Sequence, residues 1–127
     1  MRYPQIVLVF ILAGCASSAP PTAKTIGPQQ DAYRQCVANR SLPLAASPLP
    51  ADVIAREAAK QCGEQLADVN RAYRKENEQV AKKGTLANRY TDDLQKQVVN
   101  EAVVQINQQR EITAQAAKAD AARLATK

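Results

Sequence analysis

The side chains that could do chemistry are few and widely spaced. Three thiols stand at Cys15, Cys36 and Cys62, one adjacent acidic pair at Asp92-Asp93, two tyrosines beside cations at Tyr73 and Tyr90, and a terminal amine at Lys127. Catalysis needs a positioned acid, base or nucleophile, and the sequence offers no histidine, no Gly-rich phosphate loop and no serine motif. Neighbouring residues on a helix diverge by about 100°, so Asp92 and Asp93 cannot converge on one pocket and read instead as the acidic start of a helix. Cys36 and Cys62 lack both a C-x-x-C spacing and histidine partners, which makes metal ligation a weak reading. The expectation is a protein that is not an enzyme and carries no metal or other cofactor.

Cys15 has a different setting. It follows one positive charge, Arg2, and the apolar run Ile6 to Ala13, which is too short to span a bilayer and has the layout of a secretory signal. An A-x-A-like site is expected at the end of an ordinary signal, yet the stretch here is Leu12-Ala13-Gly14-Cys15. It resembles the lipobox of bacterial lipoproteins, whose pattern is Leu, a small residue, Gly or Ala, then Cys. The resemblance implies that residues 1–14 are a lipoprotein signal peptide and that Cys15 opens the mature chain. It also implies that Cys15 carries a diacylglyceryl thioether and a further acyl chain, and so ties the protein to a membrane. Each buried methylene of such chains contributes about 0.8 kcal/mol, so two or three chains hold far more firmly than one. Ala16, rather than Asp, follows the cysteine and resembles the sorting pattern of outer-membrane cargo, which gives an expected outer-membrane, periplasm-facing location.

With Cys15 acylated, two thiols remain. In an oxidising compartment Cys36 and Cys62 can form one disulfide, worth about 3 kcal/mol on the chain-entropy model; two buried free thiols or a metal pair are the alternatives. The mature chain is poor in large apolar residues. The only Phe and Met lie in the leader and there is no Trp, so the core must come from Leu, Ile, Val, Ala and three tyrosines. Such a core is thin and leans on a staple, an elongated shape or a partner. Seventeen cations less Arg2, against twelve carboxylates, leave about +4 in interspersed signs.

Residues 15–30 are small, polar and proline-bearing and read as a lipidated cysteine followed by a disordered tether. A helical domain is expected over 31–127. Tyr33, Cys36 and Val37 share a face of a short first helix that ends near Ser41. The connector SLPLAASPLP, 41–50, tucks Leu42, Leu44 and Leu49 beneath it, and Ser47-Pro48 supply an N-cap and first turn for the next helix. That second helix is expected from Leu49 to Lys83 on the stripe Ile54, Ala58, Cys62, Leu66, Val69, Tyr73 and Val80, with Gly84 as a left-handed cap. After a turn, Thr91 caps a third helix built on Leu94, Val98, Val99, Ala102, Val103 and Ile106. Gln108-Gln109-Arg110 interrupts this stripe, and the Ala-rich remainder is expected to project or fray. The expected fold is all-α: an antiparallel hairpin of two long helices, with the short N-terminal helix clipped across it by the disulfide.

Two features bear on partners. Arg71-Ala72-Tyr73-Arg74-Lys75 and Arg89-Tyr90 combine aromatic faces with cations, the means by which single-stranded nucleic acid is gripped. An export signal argues against nucleic acid, and core tyrosines with wet hydroxyls explain the same residues; anionic envelope polymers are the functional alternative. The C-terminal AAKADAARLATK, ending in Lys127, resembles the end of the major murein lipoprotein, a helical rod whose terminal lysine is joined to peptidoglycan. That family has neither the Cys36 and Cys62 pair nor the proline connector, and Gln109, Arg110 and Asp120 spoil a continuous heptad seam here. The functional expectation is a non-catalytic binding or scaffolding lipoprotein of the cell envelope. Its partner would be an envelope protein or peptidoglycan, with a tether through Lys127 or an inhibitor of an exported enzyme as alternatives.

Overall fold

The computed structural model describes residues 23–79 and 83–126, and the described residues are almost entirely helical. The first helix, α1, spans Ala23–Ser41 and so begins at Ala23 rather than at Asp31. Its inward face runs through Ile26, Tyr33, Val37 and Ser41, spaced by whole turns and all buried. Ile26 is the reason the helix starts early: burying it extends the apolar stripe past Gly27-Pro28, a pair that reads as a loop in sequence. Pro28 sits near the start, where its missing N–H costs least. The tether expected through Gln30 is therefore helical from Ala23 onward.

A single 3-10 turn, Leu42–Leu44, follows directly. The next helix, α2, spans Ala51–Gln61, starting after Pro50 in extended backbone (ψ 141°). Leu49 and Ser47 each precede a proline, which disfavours helical backbone at both. Ser47 accordingly does not cap α2, and its hydroxyl is buried without a hydrogen-bond partner. The interior face of α2 is Ile54 with Ala51, Ala55, Ala58 and Ala59, four small side chains that let its neighbours approach closely.

The long second helix expected from Leu49 is broken in the middle. At Cys62 the backbone leaves the helical basin (φ −93°, ψ 26°), and α3 resumes over Gly63–Glu76. Hydrogen bonding does not lapse, because Cys62 N–H is shared between the carbonyls of Ala58 and Ala59 and Leu66 N–H donates to Cys62. The result is a kink at the bonded cysteine rather than a chain reversal. Helix α3 ends at Asn77, whose backbone N–H and side-chain amide both donate to the Tyr73 carbonyl at 3.1 and 2.8 Å. Gly84 is thus not a cap: it lies in the first turn of the last helix, α4, Lys83–Ala125. Val80 and Lys82 fall outside the described residues.

Helix α4 has 43 residues, about 64 Å at ~1.5 Å per residue. Ala87, Thr91, Leu94, Val98, Ala102 and Ile106 form its buried stripe. Thr91 lies within the helix instead of starting it; its hydroxyl bonds the carbonyls of Ala87 and Asn88 and receives Asn70 Nδ2 at 3.4 Å. Asp92 and Asp93 are exposed on the same helix, well past its first turn. Gln30 meets Tyr90 and Arg34 meets Glu101, so α1 and α4 advance in the same sense. Asn70 of α3 lies level with Thr91, while the connector before α2 lies level with Arg110. The core sits where α1, α2, α3 and α4 meet, and Cys36 is bonded to Cys62 across it (Cα–Cα 6.0 Å). From Glu111 to Thr126 every residue is exposed, so α4 runs on alone past the bundle.

Candidate functional site

The structure brings together two of the residue sets singled out in the sequence, the cysteines Cys36 and Cys62 and the tyrosines Tyr73 and Tyr90. Cys36, half-buried on α1, and Cys62, fully buried at the α2–α3 kink, form the disulfide. Leu12, Ala13, Gly14 and Cys15 lie outside the described residues, as does Lys127. Among the described residues no group of three or more His, Cys, Asp or Glu side chains could hold a metal ion. No described helix is long and apolar enough to cross a membrane.

Tyr73 and Tyr90 stack on each other, ring centroids 4.7 Å apart at 26°. That contact occupies a face of each ring, and Gln30 Nε2 donates to the Tyr90 hydroxyl. Burial raises the Tyr90 ionisation above its ordinary value; nearby Arg34 opposes the rise, and Tyr73 and Glu76 add to it. The cations beside these tyrosines point outward. Arg71 pairs with Asp68, while Arg74 and Arg89 are exposed, and the Arg74 guanidinium passes over Gly84. The pair is a stacked wall between α3 and α4 with basic side chains around its rim.

Tyr33 is fully buried and its hydroxyl has no hydrogen-bond partner. Burial alone pushes its ionisation up to about 12. Its contribution is the apolar ring at the centre of the core.

The most densely bonded side chain escapes sequence reasoning altogether. Arg110 Nε donates to the Ala45 carbonyl at 2.8 Å, and one terminal nitrogen donates to Ser47 and Leu49 carbonyls at 3.0 and 2.6 Å. It gathers three backbone acceptors that the prolines of the connector leave without helical partners. The one signal for it in the sequence is a lone cation where the α4 stripe should continue after Ile106. With the backbone and Ala45 turned inward, the connector leucines turn outward. Leu42, Leu44 and Leu49 are 37%, 47% and 50% exposed and, with Val53, form an apolar rim instead of tucking beneath the chain.

The clefts are shallow and open. One, about 650 Å³, lies between α2 and α4 and is lined by Arg56, Ala59, Lys60, Lys96 and Val99. Another, about 390 Å³, holds the Arg34 to Glu101 ion pair (3.1 Å) at its edge. These surfaces can be covered by a partner more readily than they can enclose a small molecule. No protein-family model matches the chain, and no curated protein or solved structure is significantly similar to it.

Proposed function

We propose that this chain is a lipoprotein anchored through Cys15 to the outer membrane and facing the periplasm, where it acts by binding or scaffolding without catalysing a reaction. The Leu12-Ala13-Gly14-Cys15 box after a charged, apolar leader supports the anchor. In this reading α2–α3 and α4 form an antiparallel hairpin, which the order of contacts supports: Asn70 with Thr91 at one end, the 41–50 connector with Arg110 at the other. The observation that carries the role is the separation of the poles. Gln30 and Tyr90, each seven residues into its helix, are hydrogen bonded, so α1 and α4 start at the same end of the bundle, and the exposed end of α4 leaves the opposite end. A molecule held at one pole and free at the other suits a bridge between the membrane and something beyond it.

Mass spectrometry of the N-terminal peptide from native protein tests the anchor. An acylated cysteine as the first residue is expected, and an intact leader or an unmodified start overturns the reading. Affinity purification after periplasmic crosslinking then identifies the partner.

A second reading, covalent attachment of peptidoglycan through Lys127, is favoured by the same separation, because α4 runs away from the pole where α1 begins. Muramidase digestion of sacculi should release Lys127 peptides bearing a muropeptide, and their absence removes this reading while leaving the first intact.

A further inference from the structure

We infer that the seam between α1 and α4 binds a neutral glycan strand. The inference rests on the binding role proposed above and names the chemistry of what is bound. Helices α1 and α4 advance in the same sense, so residues four apart form rows that run side by side along the seam. On α4 one row, Leu94, Val98 and Ala102, is buried and makes a floor with Val37 and Ala38 of α1. The next row, Asp93, Gln97, Glu101 and Gln105, stands along one rim, and Asp31 and Gln35 of α1 stand along the other. Two clefts, of about 390 and 190 Å³, lie in this seam and share Arg34, so they form one trough. From Tyr90 to Gln105 it runs about 22 Å at ~1.5 Å per residue, which seats a chain of sugars rather than a single ring.

The walls of the trough are already set. Arg34 Nε and Gln97 Nε2 donate to the two oxygens of Glu101 at 3.1 and 2.9 Å, and Gln30 donates to the Tyr90 hydroxyl. Side chains held in this way lose little freedom when a ligand arrives. Their chemistry selects the ligand. Asp31, Asp93 and Glu101 can only accept hydrogen bonds, Tyr90 and the glutamines both donate and accept, and Arg34 alone can only donate. A surface with surplus acceptors matches a ligand dense in O–H groups, and sugar hydroxyls are such donors. An extended peptide carries one N–H for each C=O and projects side chains that this shallow floor has no pockets to receive. Three carboxylates against one guanidinium, with Lys96 3.8 Å from Asp93, also disfavour a polyanion.

Every buried side chain among the described residues lies between Ile26 and Ile106, so a chain starting at Ala16 retains the fold and carries no acyl group. Isothermal calorimetry of this chain with chitohexaose, a neutral hexasaccharide, is the test. Saturable binding is expected, constant within about twofold between low and high salt because an uncharged ligand leaves no ionic attraction to screen. Each hydrogen bond lost is worth about fivefold, so Gln97→Ala with Gln105→Ala should weaken binding by more than about tenfold. Asp31→Ala, on the facing rim, should weaken it by about fivefold. Gln95→Ala with Asn100→Ala, in the cleft between α2 and α4, should leave it within about twofold. Circular dichroism and an intact disulfide verify that each variant is folded. Absence of saturable binding at millimolar sugar, indifference to the rim substitutions, or tighter binding of a Gly-Ser hexapeptide overturns the inference. Because the titration uses the unacylated chain, its failure is distinct from failure of the anchor, which is judged on native protein.

Discussion

Arg110 and Tyr33 show how single side chains hold a thin core together. Replacing Arg110 with Ala removes three charge-assisted bonds and strands the carbonyls of Ala45, Ser47 and Leu49, so a loss of about 2 kcal/mol is expected from urea denaturation. Lys at this position should recover little, since an ammonium cannot present the planar fork. Tyr33 behaves in the opposite way. Its hydroxyl is buried without a partner, so Tyr33→Phe should leave stability unchanged or raise it by up to about 1 kcal/mol. The same residue gives a pH dependence. Its ionisation is raised from 10 to about 12 on folding, so the folded form prefers the neutral phenol. That preference is fully present below pH 10 and is lost as pH rises from 10 towards 12. Unfolding free energy measured across this range should fall less steeply in Tyr33→Phe than in the native chain, with Tyr90 supplying part of the remaining slope. Neither Arg110 nor the orphan hydroxyl was legible in the sequence: one depends on where backbone carbonyls point, the other on what surrounds a side chain in three dimensions.

At the level of elements, the disulfide and the kink belong together. Cys36 and Cys62 could be paired in advance because both fall on apolar stripes, so their facing inward follows from periodicity. The break at Cys62 could not be seen in the same way, since the stripe from Ile54 to Tyr73 keeps its rhythm through a local bend that preserves its hydrogen bonds. Helix boundaries depart from the sequence pattern at glycine and proline. Gly84 reads as a cap and Gly27-Pro28 fall in the expected tether, yet both lie inside helices, because Ile26 and Ala87 gain more from burial than glycine or proline costs near a helix start. Reducing the disulfide, or replacing both cysteines with Ser, should lower stability by about 3 kcal/mol and leave most helicity in place; denaturation with and without reductant measures it. Ala58→Leu should cost about 1–3 kcal/mol through overpacking, as the inner face of α2 is built of alanines.

For the molecule as a whole, the stable part and the exposed part divide cleanly along α4. Ending the chain at Glu111 should leave the thermal midpoint within a degree or two, because no described residue beyond it is buried, while the helical signal drops in proportion to the residues removed. An all-helical chain with an Ala-rich projecting end was readable from composition and period; the course of α1 alongside α4 was not, as it depends on the inward placement of Ile26 and on Gln30 reaching Tyr90. The guanidinium that fastens the connector grips main-chain oxygen, an atom that every amino acid supplies alike. Drift in the lettering of positions 42, 44 and 49 therefore leaves the fastening untouched, and that rim is free to be recut to match whatever it touches without redrawing the architecture behind it.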